Sequence, residues 1–410
     1  MSPHKADIII CGAGIAGLWL FNHLKREGFN ALLLEKDAIG CGQTIASQGI
    51  IHSGLKYAFS GKVDKLAKSV STMPGLWRKA LNGEGPVDLS VARVTARCQY
   101  LLIRSGFMGT LTGLGTDLIA KTGGSLGNNA RRLRKSEWPA SLTEIGFSGR
   151  VISMDELVLD INSVLHALAA PYQDSIRRVD MLEDMNFSLD SSGKIEHVTI
   201  KDQRITAERY IFTAAAANKI LADRLGHANG LEIQLRPLLM GMVRNAPCEL
   251  YAHCVGPSEK PVMTVSTHRT AGGSLVWYLG GSVAERPKDS NPRDTYAAAI
   301  KGFRKYMPGV DLTKVLWSSL PIDRAEGKSK VTGHLPDNST THIFGNAIYG
   351  WPTKLALSPM LTNQIIERLS NAGIKPSGQE TDWSFLPKCS FTKTPWDLAT
   401  WTDANSVKQA

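Results

Sequence analysis

Apolar residues recur along this chain in two styles, and the switches between them mark its organisation. Asp7 to Cys11 reads as a short apolar run, the pattern of a strand buried on both faces. After the glycines that follow, the spacing lengthens. Ile15, Leu18, Phe21 and Leu24 recur at near-helical intervals, and Gly28 stands where a helix C-terminus takes a left-handed residue. Residues 31–34 read as a second strand, ending at Glu35. Strand, tight turn, helix and strand over residues 6–36 predict a βαβ unit opening an α/β fold.

Further on, Leu157, Ile161, Val164, Leu165 and Leu168 make a helical stripe, with Ser153 or Asp155 as its cap. Short strands are expected at 179–181, 197–200 and 210–212. Segments 86–147 and 230–324 differ in character. They hold alternating runs such as 261–267 and 274–279, separated by Gly, Pro and Asn turns, which predicts a largely antiparallel second sheet. From 342 to 373 the pattern returns to strand, glycine turn and helix, with Leu357, Met360, Leu361, Ile365 and Leu369 closing at Gly373. The tail beyond carries Trp383, Trp396 and Trp401, enough aromatic surface to pack on the body. No internal repeat is visible. The domains expected are a discontinuous α/β unit (1–85, 148–225 and 325–374), an α+β unit (86–147 and 226–324) and a packed tail (375–410).

Composition narrows the class. A chain of 410 residues has room for two or three domains at roughly 150 residues each. Its 43% hydrophobic and 20% charged residues exclude disorder, collagen and coiled coil. No apolar run reaches the ~18 residues of a membrane helix, and no secretory signal is visible, so a cytoplasmic protein without a membrane span is expected. Lys and Arg outnumber Asp and Glu by 47 to 37, which favours an anionic partner: nucleic acid, acidic lipid or a small carboxylate or phosphate. The densest basic run, Arg131, Arg132, Arg134 and Lys135, reads as a solvated loop beside Gly123, Gly124 and Ser125. It has no interleaved aromatics for base stacking, so nucleic acid is not the expected partner. Six scattered cysteines, with no C-x-x-C pair, predict neither a disulfide framework nor a metal site.

The chemistry begins at Gly12-x-Gly14-x-x-Gly17. Gly12 permits the tight turn, Gly14 lets the backbone amides around Ile15 and Ala16 approach a pyrophosphate, and Gly17 lets helix pack on strand. The pyrophosphate sits at the positive end of the helix dipole. Glu35, 23 residues after Gly12 and followed by Lys36, is placed to bind ribose hydroxyls and to repel a 2′-phosphate, so FAD or NAD is favoured over NADP. Residues 40–57 then form a loop dense in small and hydroxyl side chains, among them Gln43, Thr44, Ser47, Gln48 and Gly49, able to wrap a second phosphate or a ribityl chain.

Within that loop Ser47-x-Gly49-x-Ile51-His52-Ser53-Gly54-Leu55-x-Tyr57 resembles the flavin-wrapping segment of the FAD-dependent D-amino-acid oxidase superfamily, which includes glycine and sarcosine oxidases. It is most similar to the 2-hydroxyglutarate and glycerol-3-phosphate dehydrogenase branch. The resemblance covers residues 5–60, 150–222 and 325–370. It implies FAD as cofactor, with Val179 beside it, and a Rossmann-like FAD domain interleaved with an antiparallel substrate domain. Residues 207–216 resemble the strand returning under the cofactor, with Ala214 and Ala215 where the family usually has a glycine. Residues 345–355 resemble the loop holding the flavin ring before a helix, through Gly350, Pro352, Thr353, Lys354 and Leu355. Flavin hydroxylases have an Asp where this chain has Asn346, which argues against a monooxygenase.

The same resemblance nominates substrate residues. Lys354 matches a lysine that binds substrate carboxylate in sarcosine-oxidase relatives. His52 is a structural contact of the flavin, an acid/base group or a covalent anchor; noncovalent contact is favoured, since the most similar branch lacks the bond. Lys56 and Tyr57 match the Arg-Tyr pair that meets phosphate in the glycerol-phosphate branch, although lysine lacks the bidentate fork. Arg324 stands near the position of a carboxylate clamp, or else pairs with Asp323 or Glu326. His268, Arg269, Trp277 and Tyr278 lie on strands that roof the flavin in the family. The resulting expectation is an FAD-dependent oxidoreductase passing a hydride from a small anionic 2-hydroxy acid or related alcohol to flavin N5. The alternative is an amino-acid or secondary-amine oxidase. The electron acceptor is open among oxygen, a quinone and a carrier protein.

Overall fold

The computed structural model describes residues 4–53, 71–105, 130–257, 260–328, 339–352 and 354–403. Strand β1 (His4–Cys11), helix α1 (Ile15–Arg26) and strand β2 (Ala31–Glu35) form the opening unit. β1 lies between parallel neighbours, β2 and Gln203–Phe212. Ile8 and Ile10 enter the core shared with Leu18, Phe21 and Leu24 of α1, whereas Ile9 and Cys11 enter the core of the opposite face. Burial on both faces is the physical reason that residues 8–11 are apolar without alternation. The sheet continues through Ile176–Arg178 beyond β2, and through Ala347–Trp351 and Thr340–Phe344 on the other side.

A second sheet is built on the long antiparallel pair Ile233–Arg244 and Leu316–Gly327. Helix Pro292–Tyr306 covers one face, where Trp277, Phe303 and Trp317 pack together. The opposite face carries Met240, Met242 and Tyr278. A small third sheet joins Ile50–Ile51, Leu157–Leu159 and Val94–Ala96. The class is thus mixed α/β, with a Rossmann-like unit and multiple mixed sheets.

Several elements depart from the sequence expectation. Leu157–Leu159 is a strand, and the helix starts at Ile161 because Asp160, rather than Ser153 or Asp155, accepts the Ser163 amide at 3.1 Å. The strand expected at 179–181 is Ile176–Arg178. Gly149–Met154, assigned to the first unit, hydrogen-bonds to Gln99–Arg104 in the second sheet. The tail runs over both units. Ser377 donates to Asp7, Trp383 is buried in the first, and Trp396 stacks on His268 of the second with centroids 4.2 Å apart. Among the described residues no helix is long and apolar enough to cross a membrane.

Candidate active site

A cleft of about 2130 Å³ opens between the two large sheets and takes residues from both. Its first wall is the β1–α1 turn. Gly12 has φ +104°, and a Cβ there would stand 2.7 Å from the Thr213 carbonyl oxygen. Gly14, Ile15 and Ala16 line the cleft, and the Ile15 amide donates to Thr44 Oγ1 at 2.9 Å. Gly17 lies behind the wall, where a Cβ would come within 1.9 Å of the Gly12 oxygen. It therefore acts through packing.

Glu35 is buried at the end of β2. Its Oε2 accepts the Ala13 amide at 2.7 Å and its Oε1 the Asp37 amide at 3.1 Å. Lys36 pairs with Asp180 at 3.1 Å across the same wall. Burial, reinforced by the Glu35 charge, pushes the neighbouring Cys41 thiol up to about 11, so it stays protonated. Val179 donates its amide to the Glu35 carbonyl at 2.8 Å, but its own side chain is in the core. Asp180, Met181 and Leu182 line the cleft in its place.

Gln43, Thr44, Ser47, Gln48 and Gly49 all line the next stretch. The bonds that fasten this loop to the second sheet include Gln48 Nε2 donating to the Tyr278 carbonyl at 2.9 Å and the Tyr278 hydroxyl donating to the Ala46 carbonyl at 2.8 Å. Ala214 and Ala215 form part of the floor, with Ala215 in the left-handed region at φ +51°. Gly350, Pro352, Lys354 and Leu355 line the far end. Asn346 does not. It turns away and pairs both amide atoms with the Ile195 backbone at 2.9 Å, so its bearing on flavin chemistry falls away. Lys56, Tyr57 and Thr353 lie outside the described residues.

These residues fit FAD. The glycine turn admits no Cβ, the first-turn amides of α1 border the cleft, and a buried carboxylate ends β2.

The remaining wall carries acid, base and charge. Ile51 pairs with Leu157 in the third sheet, which sets the next residue, His52, opposite Glu156. His52 Nδ1 lies 3.1 Å from Glu156 Oε2, and the His52 ring lines the cleft. His253 lines it too, its Nε2 3.9 Å from the same oxygen. Glu156 is fully buried. Burial alone would raise its pKa, but the charges and hydrogen bonds of His52 and His253 outweigh that and hold it well below the usual carboxylate range.

Arg324 lies directly across from Arg236 in the long strand pair, and both side chains border the cleft. The buried Glu326 carboxylate sits between them, 3.0 Å from Arg324 and 3.5 Å from Arg236. Arg324 is therefore paired with Glu326, as one of the two sequence readings had it, yet on the cleft wall.

His268, Arg269, Trp277 and Tyr278 do not line the cleft. His268 is buried against Trp396, and Trp277 belongs to the helix-covered core. The basic run is at the surface, with Arg131 and Arg134 both paired to Glu137. Glu156, His253 and Arg236 escaped the sequence reading. Glu156 hides at the start of an apolar run and His253 between Ala252 and Cys254, and only strand register brings them to His52.

The chain belongs to the FAD-dependent oxidoreductases of the DAO family, whose model matches residues 7–357. It is 34% identical over 400 residues to a probable FAD-dependent oxidoreductase of Pseudomonas aeruginosa, covering 96% of this chain and 98% of that one. The crystal structure of that relative superimposes with a TM-score of 0.79 at 31% identity, covering 97% of this chain and 99% of that chain. Two more distant likenesses concern the fold alone. L-proline dehydrogenase from P. horikoshii has a TM-score of 0.64 at 13% identity, over 96% and 97% of the two chains. The FAD-bound L-α-glycerophosphate oxidase from Mycoplasma pneumoniae has 0.61 at 14%, over 90% and 95%. FAD is the cofactor and the protein is an oxidoreductase.

Proposed function

We propose that this enzyme oxidises a small anionic alcohol, a 2-hydroxy acid or close relative, in the cleft between its two sheets. The observation that carries the reading is the shared wall: His52, backed by a buried carboxylate, borders the same cavity as Arg236, Arg324 and Lys354. Bound FAD supplies the two-electron acceptor for the hydrogen leaving the substrate carbon. The cations would hold the carboxylate and fix which carbon is presented. His52 would take the hydroxyl proton, which an alcohol must lose on becoming a carbonyl and which a neutral amine need not. The similarity of residues 47–57 to the 2-hydroxyglutarate and glycerol-3-phosphate dehydrogenase branch supports the same class. The substrate is the expected anionic partner, and the six unpaired thiols suit a reducing cytosol.

The test is dye-coupled turnover of 2-hydroxy acids against their methyl esters, which keep the hydroxyl and lose the charge. Oxidation of the acids with turnover of the esters at least tenfold lower is expected. Equal rates would overturn the reading.

A second reading, oxidation of amino acids or secondary amines, is favoured by one observation: Lys354 lines the cleft in the segment that resembles the carboxylate-binding loop of sarcosine oxidases. Peroxide release with glycine or sarcosine, without dye reduction by hydroxy acids, would establish it.

A further inference from the structure

Glu156 is fully buried beside the cleft, yet both its oxygens meet polar groups. Oε1 accepts the Ser53 amide at 2.9 Å and the Ser53 hydroxyl at 3.0 Å. Oε2 faces His52 Nδ1 at 3.1 Å and His253 Nε2 at 3.9 Å. His253 is held in turn from its other nitrogen, where Nδ1 meets Thr264 Oγ1 at 3.0 Å across a strand pair. The charges acting on Glu156 are those of His52, from the strand Ile50–Ile51 side, and His253, on the strand Ala252–Cys254. Its chain neighbour Asp155 pairs with Arg78.

A carboxylate buried and ionised is an acceptor only, so each imidazole nitrogen facing it must carry a hydrogen. His52 therefore keeps its Nδ1 hydrogen in both the charged and the neutral form, and in the neutral ring the acceptor lone pair lies at Nε2. His253 Nε2 faces the carboxylate at 3.9 Å, and its Nδ1 meets the Thr264 hydroxyl at 3.0 Å. Ser53, the Glu156 carboxylate and His52 form one hydrogen-bond chain, and His253 lies beside it.

We propose that Glu156 is a positioning residue that fixes His52 as the Nδ1–H tautomer, so that Nε2 is the atom that takes the substrate proton, with His253 close to the same carboxylate oxygen. The proposal rests on the reading above that His52 faces the substrate. In the step, the substrate O–H bond breaks and an N–H bond forms at His52 Nε2. The freed electron pair becomes the second carbon–oxygen bond, and the electron pair of the carbon–hydrogen bond goes to FAD. Glu156 stays ionised throughout and offsets the imidazolium charge.

Glu156→Gln tests this sharply. The Ser53 amide needs an acceptor, so the new amide must keep its oxygen there and turn its NH2 toward His52. That would force His52 into the Nε2–H tautomer, which has no lone pair for the substrate. The experiment is histidine ring 15N NMR of the FAD-loaded enzyme, wild type and Glu156→Gln, together with the pH profile of kcat/KM. The expected result is an Nδ1–H signal for His52 in the wild type, Nε2–H in the variant, and a loss on the order of 10²–10⁴-fold in kcat with an altered pH profile. Glu156→Asp, which keeps the acceptor, should retain the wild-type tautomer. An Nε2–H wild-type tautomer overturns the proposal even if the Gln variant does not fold. Unchanged turnover of hydroxy acids by Glu156→Gln overturns it too, while leaving the substrate reading intact. A tautomer switch in an enzyme that oxidises no hydroxy acid would uphold the positioning role and defeat the substrate reading.

Discussion

The Trp351 indole donates to the Ala215 carbonyl oxygen over 3.0 Å, and Ala215 presents that oxygen from a left-handed backbone at φ +51°. The bond ties the strand leading into Pro352 and Lys354 to the floor segment 214–216. An alanine in this conformation carries roughly 1–2 kcal/mol of strain. Glycine would remove the strain but add roughly 0.5–1 kcal/mol of entropy loss on folding. Ala215→Gly should therefore be neutral or stabilising by up to about 1 kcal/mol. Ala215→Val, with a branched side chain, should destabilise by about 2 kcal/mol or more. Denaturant unfolding of the FAD-loaded variants checks both, and a stabilising valine would contradict the account.

Tyr278 matters here as a fastener. Its hydroxyl holds the Ala46 carbonyl from a fully buried position. Burial pushes that hydroxyl's pKa far above its ordinary value, so it stays a donor at any working pH. Tyr278→Phe leaves the carbonyl without this partner, at a cost of about 1–3 kcal/mol. Since residues 43–49 line the cleft whose glycine turn fits FAD, FAD affinity should fall as well, by about tenfold or more. Equilibrium dialysis of FAD measures it, and an unchanged affinity would show that the loop holds its shape alone.

His268 gives a pH signature. Burial lowers its pKa to about 4 from an ordinary 6.5. The folded state therefore binds fewer protons than the unfolded chain between those values, and stability is lost as pH falls from about 6.5 toward 4. The loss at the lower end is on the order of 3 kcal/mol. The Trp396 stack on His268 makes the C-terminal tail part of the same loss. His268→Gln should flatten the pH dependence of the melting temperature across that window. An equally steep dependence in the variant would place the titrating group elsewhere.

Arg324 is predicted to act on binding. Arg324→Met should raise KM for an anionic substrate roughly 10–100-fold, in line with the loss of a charge-assisted hydrogen bond of about 1.5–3 kcal/mol. Arg236 remains beside the buried Glu326, which limits the structural cost. Steady-state kinetics on the acid and its ester separates the cases, because the ester's KM should hardly move.

How much of this was legible in the sequence varies by element. The β1–α1–β2 unit was readable because its signals are local: burial on both faces, a glycine turn and an acid within one short stretch. The helix after Asp160 was read too early, since Leu157 fits a helical stripe and a strand equally well. Glu156 and His253 could not be read at all. They come to His52 through pairings of residues about a hundred and two hundred positions apart, and no spacing along the chain encodes such a register. Arg236 escaped for the same reason, since only the pairing of Ile233–Arg244 with Leu316–Gly327 sets it across from Arg324.

The central claim is that the cleft oxidises an anionic alcohol. Its most direct test is anaerobic mixing of the FAD-loaded enzyme with matched pairs: a 2-hydroxy acid and the amino acid of the same carbon skeleton. The account predicts that the visible flavin band bleaches with one enantiomer of a hydroxy acid and stays unchanged with its amino-acid counterpart. Bleaching by the amino acids alone would contradict it.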